Sequence, residues 1–556
     1  MKVSRLLVST FTLGMAVAMI PGITASAATK IKIDKSNFPD KGLCKILSKE
    51  FDADEDGYLS SKEIKNTIVL SIYNSDKVSD LTGIEKLTSL KTLYVESTNL
   101  KVYDFSKNTG LTKLAVRAEI ASADVSKLTK LENLWLDSSK IKSVDISKNA
   151  KLKDLMLSGG EKDCCMVQSV DLSSNPELES VVIYSDRLES LDVTKNHKLH
   201  KIYLLNGLGK GFTLKSVKLG SNKALKEVEL GINAVESIDI SKCPNIESFA
   251  IRSNKLSSLD LSKNRKLKAL DLIMCSGLTE VDISNNTKLE EFDFDTGIVD
   301  KLIVFSGQKF ESGRISDSGN RPKYVSSDKS VFTINTKTAD SEAYKIVFEA
   351  KKAGSGILTE KINSTLENST EIKVLYKDVT NKGDFWYEPT YYLSDKDIVK
   401  GYANQTEFRP ANECTRAQMV TFLWRLNGSP APKAKTTDFK DVKKGAYYYK
   451  AVIWAVEQGI TTGLSKDKFG PEGVCTRAQT VTFLWRMAGK LEPKAKTCKF
   501  SDVKSSDYFY KATIWASENK IVAGYSDGTF QPSGKCLRRQ MVTFLYKYDK
   551  NANGNK

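Results

Sequence analysis

A leucine recurs at an almost constant step through the middle of this 556-residue chain. The segment LTKLENLWLDSSKIKSVDISKNA, beginning at Leu128, shows the unit. Its landmark leucine falls at Leu90, Leu111, Leu131 and Leu152, and the series runs on to Leu289. The step is 20–22 residues except in two units of 26, which carry five-residue insertions. A unit this short cannot bury its own apolar edge, so successive units must stack and share one continuous core. That requirement predicts a solenoid over 81–305, with short parallel strands on one side and an irregular convex side. Asn108, Asn149, Asn175, Asn196, Asn222 and Asn264 recur after each SVDISK-like segment. A buried amide there can satisfy turn backbone groups in neighbouring coils. Cys243 takes its place once.

Ahead of the repeats, DADEDGYLSSKE (52–63) has the spacing of a twelve-residue EF-hand loop. Asp52, Asp54, Asp56, Ser60 and Glu63 supply side-chain oxygens, and Tyr58 supplies a backbone carbonyl. Gly57 stands at the sharp turn, and Leu59 where such loops place a residue facing the core. Leu43, Ile46, Leu47 and Phe51 are spaced for one helical face before the loop. We expect one structural calcium ion bracing an N-terminal cap over 28–80. A single unpaired loop argues against a sensor. The motifs SLDVTKN at Ser190 and SLDLSKN at Ser258 resemble bacterial leucine-rich repeat proteins that carry such units behind an EF-hand-like cap. The resemblance implies the fold over about 35–305 and leaves the ligand open.

The repeat register predicts which strand residues face the concave side. One column runs through Tyr94, Trp135, Met156 and Tyr203, and the next passes Tyr184, Gly231 and Arg252. An exposed stripe of Tyr94, Trp135, Met156, Tyr184 and Tyr203 suits a protein or glycan partner. Strand propensity alone also favours aromatic residues there. Asp271, Asp293 and Asp295 form an acidic end to the same face. A flat strand surface gives them no pocket to separate their pKa values, so a solvated ladder or weak cation site is expected, not a glycosidase pair. The two histidines, His197 and His200, sit in HKLH, which lacks the glutamate and spacing of a zinc peptidase.

The segment 306–374 breaks the repeat, and stretches such as SVFTINT and AYKIVFEA predict a small β-rich cap or spacer. A threefold pattern follows. Asp378-Val379, Asp441-Val442 and Asp502-Val503 open the units, and ECTRAQMVTFLWR, VCTRAQTVTFLWR and KCLRRQMVTFLY close them. Apolar spacing predicts helices in YYYKAVIWAVEQ and YFYKATIWASEN, followed by glycine stops and Phe-x-Pro turns. The pattern resembles the S-layer homology domain, as units over 375–430, 431–492 and 493–550. The resemblance implies a mainly helical pseudo-trimer that binds an anionic secondary cell-wall polymer in grooves between units. The matching positions are Thr415, Arg416 and Gln418, then Thr476, Arg477 and Gln479, then Arg538 and Gln540. Arginine offers a planar fork to carboxylate or phosphate, and a helix start adds free N–H groups. Glutamine replaces the family's glutamate in all three units. The third unit also has Leu537 and Arg539 for threonine and alanine, and Leu393 stands where later units have Trp454 and Trp515.

Charge and cysteine usage narrow the setting. Lys2 and Arg5 precede an apolar run at 6–20 and a small-residue site at 25–27, the signature of a secretory signal peptide over 1–27. No later stretch is long and apolar enough to span a membrane. Net charge is +16, and 375–546 holds 27 Lys and Arg against 17 Asp and Glu. On an exported chain this favours acidic wall polymers over nucleic acid. The nine cysteines lack the density of a disulfide framework. Cys414, Cys475 and Cys536 repeat at one position per unit, which predicts a small buried apolar site. The expected protein is therefore a wall-anchored, adhesin-like display protein on the surface of a bacterium. A structural envelope component is the alternative, and a wall-anchored enzyme ranks last.

Overall fold

A computed structural model describes residues 30–159, 164–206, 213–314, 322–339, 343–362 and 367–553. The expected signal peptide lies outside the described residues. Helix Lys41–Glu50 opens the cap, and Leu43, Ile46 and Leu47 turn inward as their spacing predicts. Asp40 caps that helix through Gly42 N and Leu43 N, and its second oxygen accepts from Ser79 N at 2.9 Å. One carboxylate thus satisfies free helix N–H groups and ties the cap to the first coil.

The solenoid strands run from Val69–Ile72 through Glu291–Asp293 and line up in one 14-stranded sheet. Its pairs are parallel up to Lys309–Arg314. Inward residues alternate along each strand, so Leu93, Leu114, Leu134 and Leu155 stack directly over one another. The landmark leucines are almost fully buried. The asparagines form the expected ladder. Asn175 Nδ2 donates to the carbonyls of Ile146 and Asn149, and Asn196 Nδ2 to those of Leu172 and Asn175. From Asn149 onward each amide bridges two carbonyls of the preceding coil, while Asn108 at the start reaches Ile84 O; a parallel coil cannot satisfy these through its own strand ladder. Cys243 keeps a weak version, with Sγ 3.6 Å from Gly220 O.

Segment 306–374 is less separate than a spacer. Strand Lys309–Arg314 continues the concave sheet, and Ala343–Ala350 and Phe332–Ala339 add antiparallel to it. On the opposite side Lys301–Phe305 pairs with Glu367–Leu375. Gln308 even extends the amide ladder to the carbonyls of Ile283 and Asn286. Phe310, Phe348 and Phe332 stack at 4.8–5.4 Å, Phe292 meets Phe310 edge-on at 5.4 Å, and together they seal the open end of the core. The segment is therefore a cap grown out of the solenoid.

Six helices make up the C-terminal region: Tyr387–Asp395, Arg416–Leu426, Tyr449–Glu457, Arg477–Met487, Tyr510–Glu518 and Arg538–Tyr548. A second core holds them together and takes in Ile303 and Ala353 from the cap. Ser306 Oγ to Thr406 O (2.7 Å) and Ala353 N to Gln405 O (2.9 Å) fasten the two regions. Leu393 fills its place in this core with no exposed surface, as Trp454 and Trp515 nearly do in theirs. No helix among the described residues is long and apolar enough to cross a membrane.

Candidate functional site

The three helical units close into a ring. Arg416 N donates to Gly473 O and Ala417 N to Pro471 O, so the first unit's helix start docks on the second unit's Phe-x-Pro turn. Arg477 and Ala478 do the same to Gly534 and Pro532, and Arg538 and Arg539 to Asn412 and Pro410. The expectation of free N–H groups at these helix starts is therefore corrected. Ring closure consumes them before any ligand arrives. At the axis, Cys414 N bonds Cys536 O, Cys475 N bonds Cys414 O, and Cys536 N bonds Cys475 O, each at 2.9 Å. The three thiols are free and buried, and burial raises them, Cys475 to about 11 and Cys536 to about 12.

The arginines lie across the seams. Each Nε donates to the next unit's phenylalanine carbonyl: Arg416 to Phe469, Arg477 to Phe530, Arg538 to Phe408, at 2.8–2.9 Å. Each guanidinium also lies over aromatic rings. Arg416 sits 4.8 Å from the Phe469 centroid, and Arg477 4.9 Å from both Tyr525 and Phe530. Gly470 and Gly473 line the path of the Arg416 chain, with a Cβ at Gly473 falling at ordinary contact distance, 3.7 Å, from its Cδ. The side chains are only 2–5% exposed, and burial lowers the Arg416 and Arg477 guanidinium pKa values. These are embedded arginines with one edge to offer, not surface forks.

The three seams differ in what that edge meets. Arg416 Nη2 is buried and has no hydrogen-bond partner. Arg538 Nη2 instead donates to Lys400 O at 3.0 Å, and Tyr402 lies between Arg538 and Arg409 at 4.7 and 4.8 Å. The third seam is filled by its own chain. The glutamines act in capping. Gln418 Oε1 accepts from Thr415 N while Thr415 Oγ1 accepts from Gln418 N, and Gln479 and Thr476 repeat the pair. An amide oxygen replaces a carboxylate there without loss of the box. Gln540 keeps only the half that bonds Leu537 N, since leucine offers no acceptor.

On the solenoid, Tyr94, Trp135, Met156 and Tyr203 share one concave column, with Tyr184 beside it. All five are half-buried by their neighbours. Tyr94 OH donates to Glu96 at 3.0 Å and Tyr203 OH to Glu227 at 2.9 Å, which fixes both rings. Trp135 Nε1 is buried without a partner. The neighbouring column departs from expectation at one point. A bulge at Gly231 sets Ile232, not Gly231, opposite Arg252. The acidic end is engaged structurally. Asp271 pairs with Arg252, Asp293 accepts from Ser312 Oγ and Gly313 N, and Asp295 accepts from Met274 N. They fasten loops, and among the described residues they form no cation cluster.

In the cap, the carboxylate oxygens of Asp52, Asp54 and Glu63 come within 4.8 Å of one another. Gly57 takes φ +82° at the turn, and strand Tyr58–Leu59 pairs with Ile31–Lys32. Burial acts to raise Glu63, but hydrogen bonds from Ser60 and Ala53 hold its carboxyl below the usual range. Asp56 pairs with Lys30, and Ser60 caps helix Ser61–Asn66. Three of the six expected ligands are thus gathered, and Asp56 is turned to a lysine.

The S-layer homology domain matches residues 375–420, 438–481 and 499–542. An endoglucanase of Bacillus sp. (strain KSM-635) is 34% identical over 164 residues, 28% of this chain and 17% of that protein. A cell surface protein of Thermoanaerobacter kivui is 34% identical over 135 residues, 24% of this chain and 18% of that protein. A cellulosome-anchoring protein of Acetivibrio thermocellus is 27% identical over 158 residues, 27% of this chain and 34% of that protein. The chain thus spans under a fifth of the first two relatives and about a third of the last. Among solved structures, the functional domain of InlJ from Listeria monocytogenes is 19% identical. It covers 63% of this chain and 100% of that one at a TM-score of 0.28. With three S-layer homology units, this chain is a bacterial cell-wall surface protein.

Proposed function

We propose that the chain grips an anionic secondary wall polymer through the seams at Arg416 and Arg477 while its solenoid displays a face for an extracellular protein or glycan. The observation that carries the anchor reading is Arg416 Nη2, buried in its seam with no partner. A buried guanidinium edge left unpaired is costly, and a carboxylate or phosphate would satisfy it. The third seam, where Arg538 Nη2 is already satisfied by Lys400 O, takes no part. The concave aromatic stripe supports a display role. An envelope-coat role would require the solenoid to contact like molecules.

Co-sedimentation with purified walls tests the anchor. We expect the mature chain to pellet, and Arg416→Gln with Arg477→Gln to release it at least tenfold. Walls stripped of polymer by acid should bind neither. Unchanged pelleting of the variant overturns the assignment of the seams. Tyr94→Ser with Trp135→Ser should leave pelleting intact while abolishing partner capture.

The same reading assigns one calcium ion to the cap, held first by the gathered Asp52, Asp54 and Glu63, with Asp56, once released from Lys30, Ser60 and the Tyr58 carbonyl completing the shell. Three carboxylates brought this close repel one another unless a cation joins them, and the ion would brace the start of the solenoid. A rise in melting temperature with calcium that Glu63→Gln removes would support it. Identical melting in calcium and in chelator would dismiss it.

A further inference from the structure

The edge of the solenoid that leads from the asparagine ladder into the concave strands carries charge in a pattern. The residues just before the strands stack coil on coil through backbone hydrogen bonds: Lys153 N to Glu132 O, Glu179 N to Lys153 O, His200 N to Glu179 O, Lys226 N to His200 O, Glu247 N to Lys226 O. Over most of this edge the signs alternate and neutralise. Lys153 pairs with Glu132 at 2.9 Å, and Lys268 with Glu247 at 2.7 Å. At the centre the alternation fails. His200 and Lys226 follow each other with no acid between, and His197 and Lys223 stand beside them. An open depression of about 510 Å³ lies there, lined also by Ala224, Asn245 and Lys266, with Glu179 and Glu247 at its rim toward the strands.

The depression has a cause in the repeat. Two residues past the ladder position, neighbouring coils carry Lys198 and Lys266, but the two coils between carry Ala224 and Asn245. Two short side chains leave a trough walled by lysines. Lys198 pairs with Glu177 at 2.5 Å. Lys223, Lys226 and Lys266 are exposed and form no direct salt bridge among the described residues; Lys226 and Lys266 act on Glu247 only at longer range, since that carboxylate is held by Lys268. Both histidines of the chain line the trough, yet no metal-holding group of His, Cys, Asp or Glu forms there among the described residues.

We propose that this trough is a second wall-facing site, which binds a glycan strand through its carboxylate or phosphate groups. Three exposed ammonium groups around a floor of Ala224 and Asn245 outnumber the lining carboxylates Glu179 and Glu247, the latter already held by Lys268, and complement an anion borne on a sugar. The coil spacing of about 4.8 Å is close to the length of one sugar ring. A protein held at the cell wall has such polymers within reach. Contact here would lay the solenoid's edge along the wall and leave its concave face open.

Lysine acylation of the full mature chain, read by mass spectrometry, tests the site independently of the anchor. The probes are poly(glycerol phosphate) and polygalacturonate, which separate phosphate from carboxylate recognition. We expect either probe to slow labelling of Lys223, Lys226 and Lys266 at least threefold, with Lys127 and Lys148 unchanged. Binding measured alongside should weaken at least fivefold in Lys223→Glu/Lys226→Glu and less than twofold in Lys127→Glu/Lys148→Glu, which alters net charge equally. Unaltered labelling at the trough with both probes overturns the proposal, even where lysines of the helical ring are protected. Equal weakening by the two double variants overturns it too, because that is field attraction without a site.

Discussion

The solenoid and the wall-binding ring are both built from repeats, but one stacks by translation and the other closes by rotation. Each solves the same problem: carbonyls at a repeat boundary need donors that the repeat's own backbone cannot supply. In the solenoid an asparagine amide reaches back to the preceding coil, as Asn196 does to Leu172 and Asn175. In the ring an arginine reaches forward to the next unit, and the third reaches the first, as Arg538 does to Phe408. Translation leaves two open ends, which the N-terminal cap and the phenylalanine cluster cover. Rotation leaves none, so every unit depends on both others.

The largest expected difference follows from deletion. Removing one whole coil, 225–245, should leave a shorter folded solenoid, since Ala224 then joins Ile246 in register. Removing 493–550 should unfold the ring, because Arg477 loses Phe530 and Cys414 loses Cys536. Limited proteolysis and circular dichroism of the two deletions would check this. A ring that stays protease-resistant with two units would break the comparison.

Single substitutions come next. Arg477→Ala should cost about 3 kcal/mol, because a buried charge-assisted bond and its stacking vanish together. Asn196→Ala should cost about 1 kcal/mol. It orphans two carbonyls but also removes an Oδ1 that already lacks a partner. Urea titrations of both variants would measure the gap.

A pH series should separate the two regions again. Hydrogen bonds from Ser106, Ser147 and Thr194 lower Asp104, Asp145 and Asp192 in the folded solenoid. A lowered carboxylate stabilises above its unfolded pKa, near 3.8, and loses that contribution as pH falls below it. The axial thiols move the other way. Raised by burial from 9.0 to about 11 and about 12 at Cys475 and Cys536, they favour the fold below pH 9 and lose this as pH climbs toward those values. Proteolysis at pH 3 should therefore cut the solenoid first, whereas at pH 10.5 both regions should loosen, because burial raises Cys275 of the solenoid to about 11 as it does Cys475 of the ring.

The smallest effect sharpens the ring's symmetry. Leu537→Thr should restore the missing half of the third capping box and raise stability by about 0.5 kcal/mol, read as a small rise in melting temperature.

Much of the fold is legible in the chain itself. The leucine step dictates stacking, and Tyr94, Trp135, Met156 and Tyr203 fall in one column because the strand period and coil length are fixed together. The Gly231 bulge was not legible, since Gly231 sits in a coil of ordinary length. Nor was the role of Gln308, one amide beyond a series of asparagines. The arginine positions could be read from TRAQ, but not their burial, because the rings that cover Arg416 include one 53 residues further on, at Phe469.

The sequence by itself determined the repeat lengths, the inward and outward alternation, the loop spacing at 52–63 and the three matching helical units. These rest on local periods, which each segment carries alone. Tertiary structure decided which helix start meets which turn, and so that the N–H groups are consumed, the third seam filled and Arg416 Nη2 left over. It also decided that Ala224 and Asn245 lie side by side as the floor of a lysine-walled trough. Both outcomes depend on neighbours that only folding brings together, across a closed ring in one case and between stacked coils in the other.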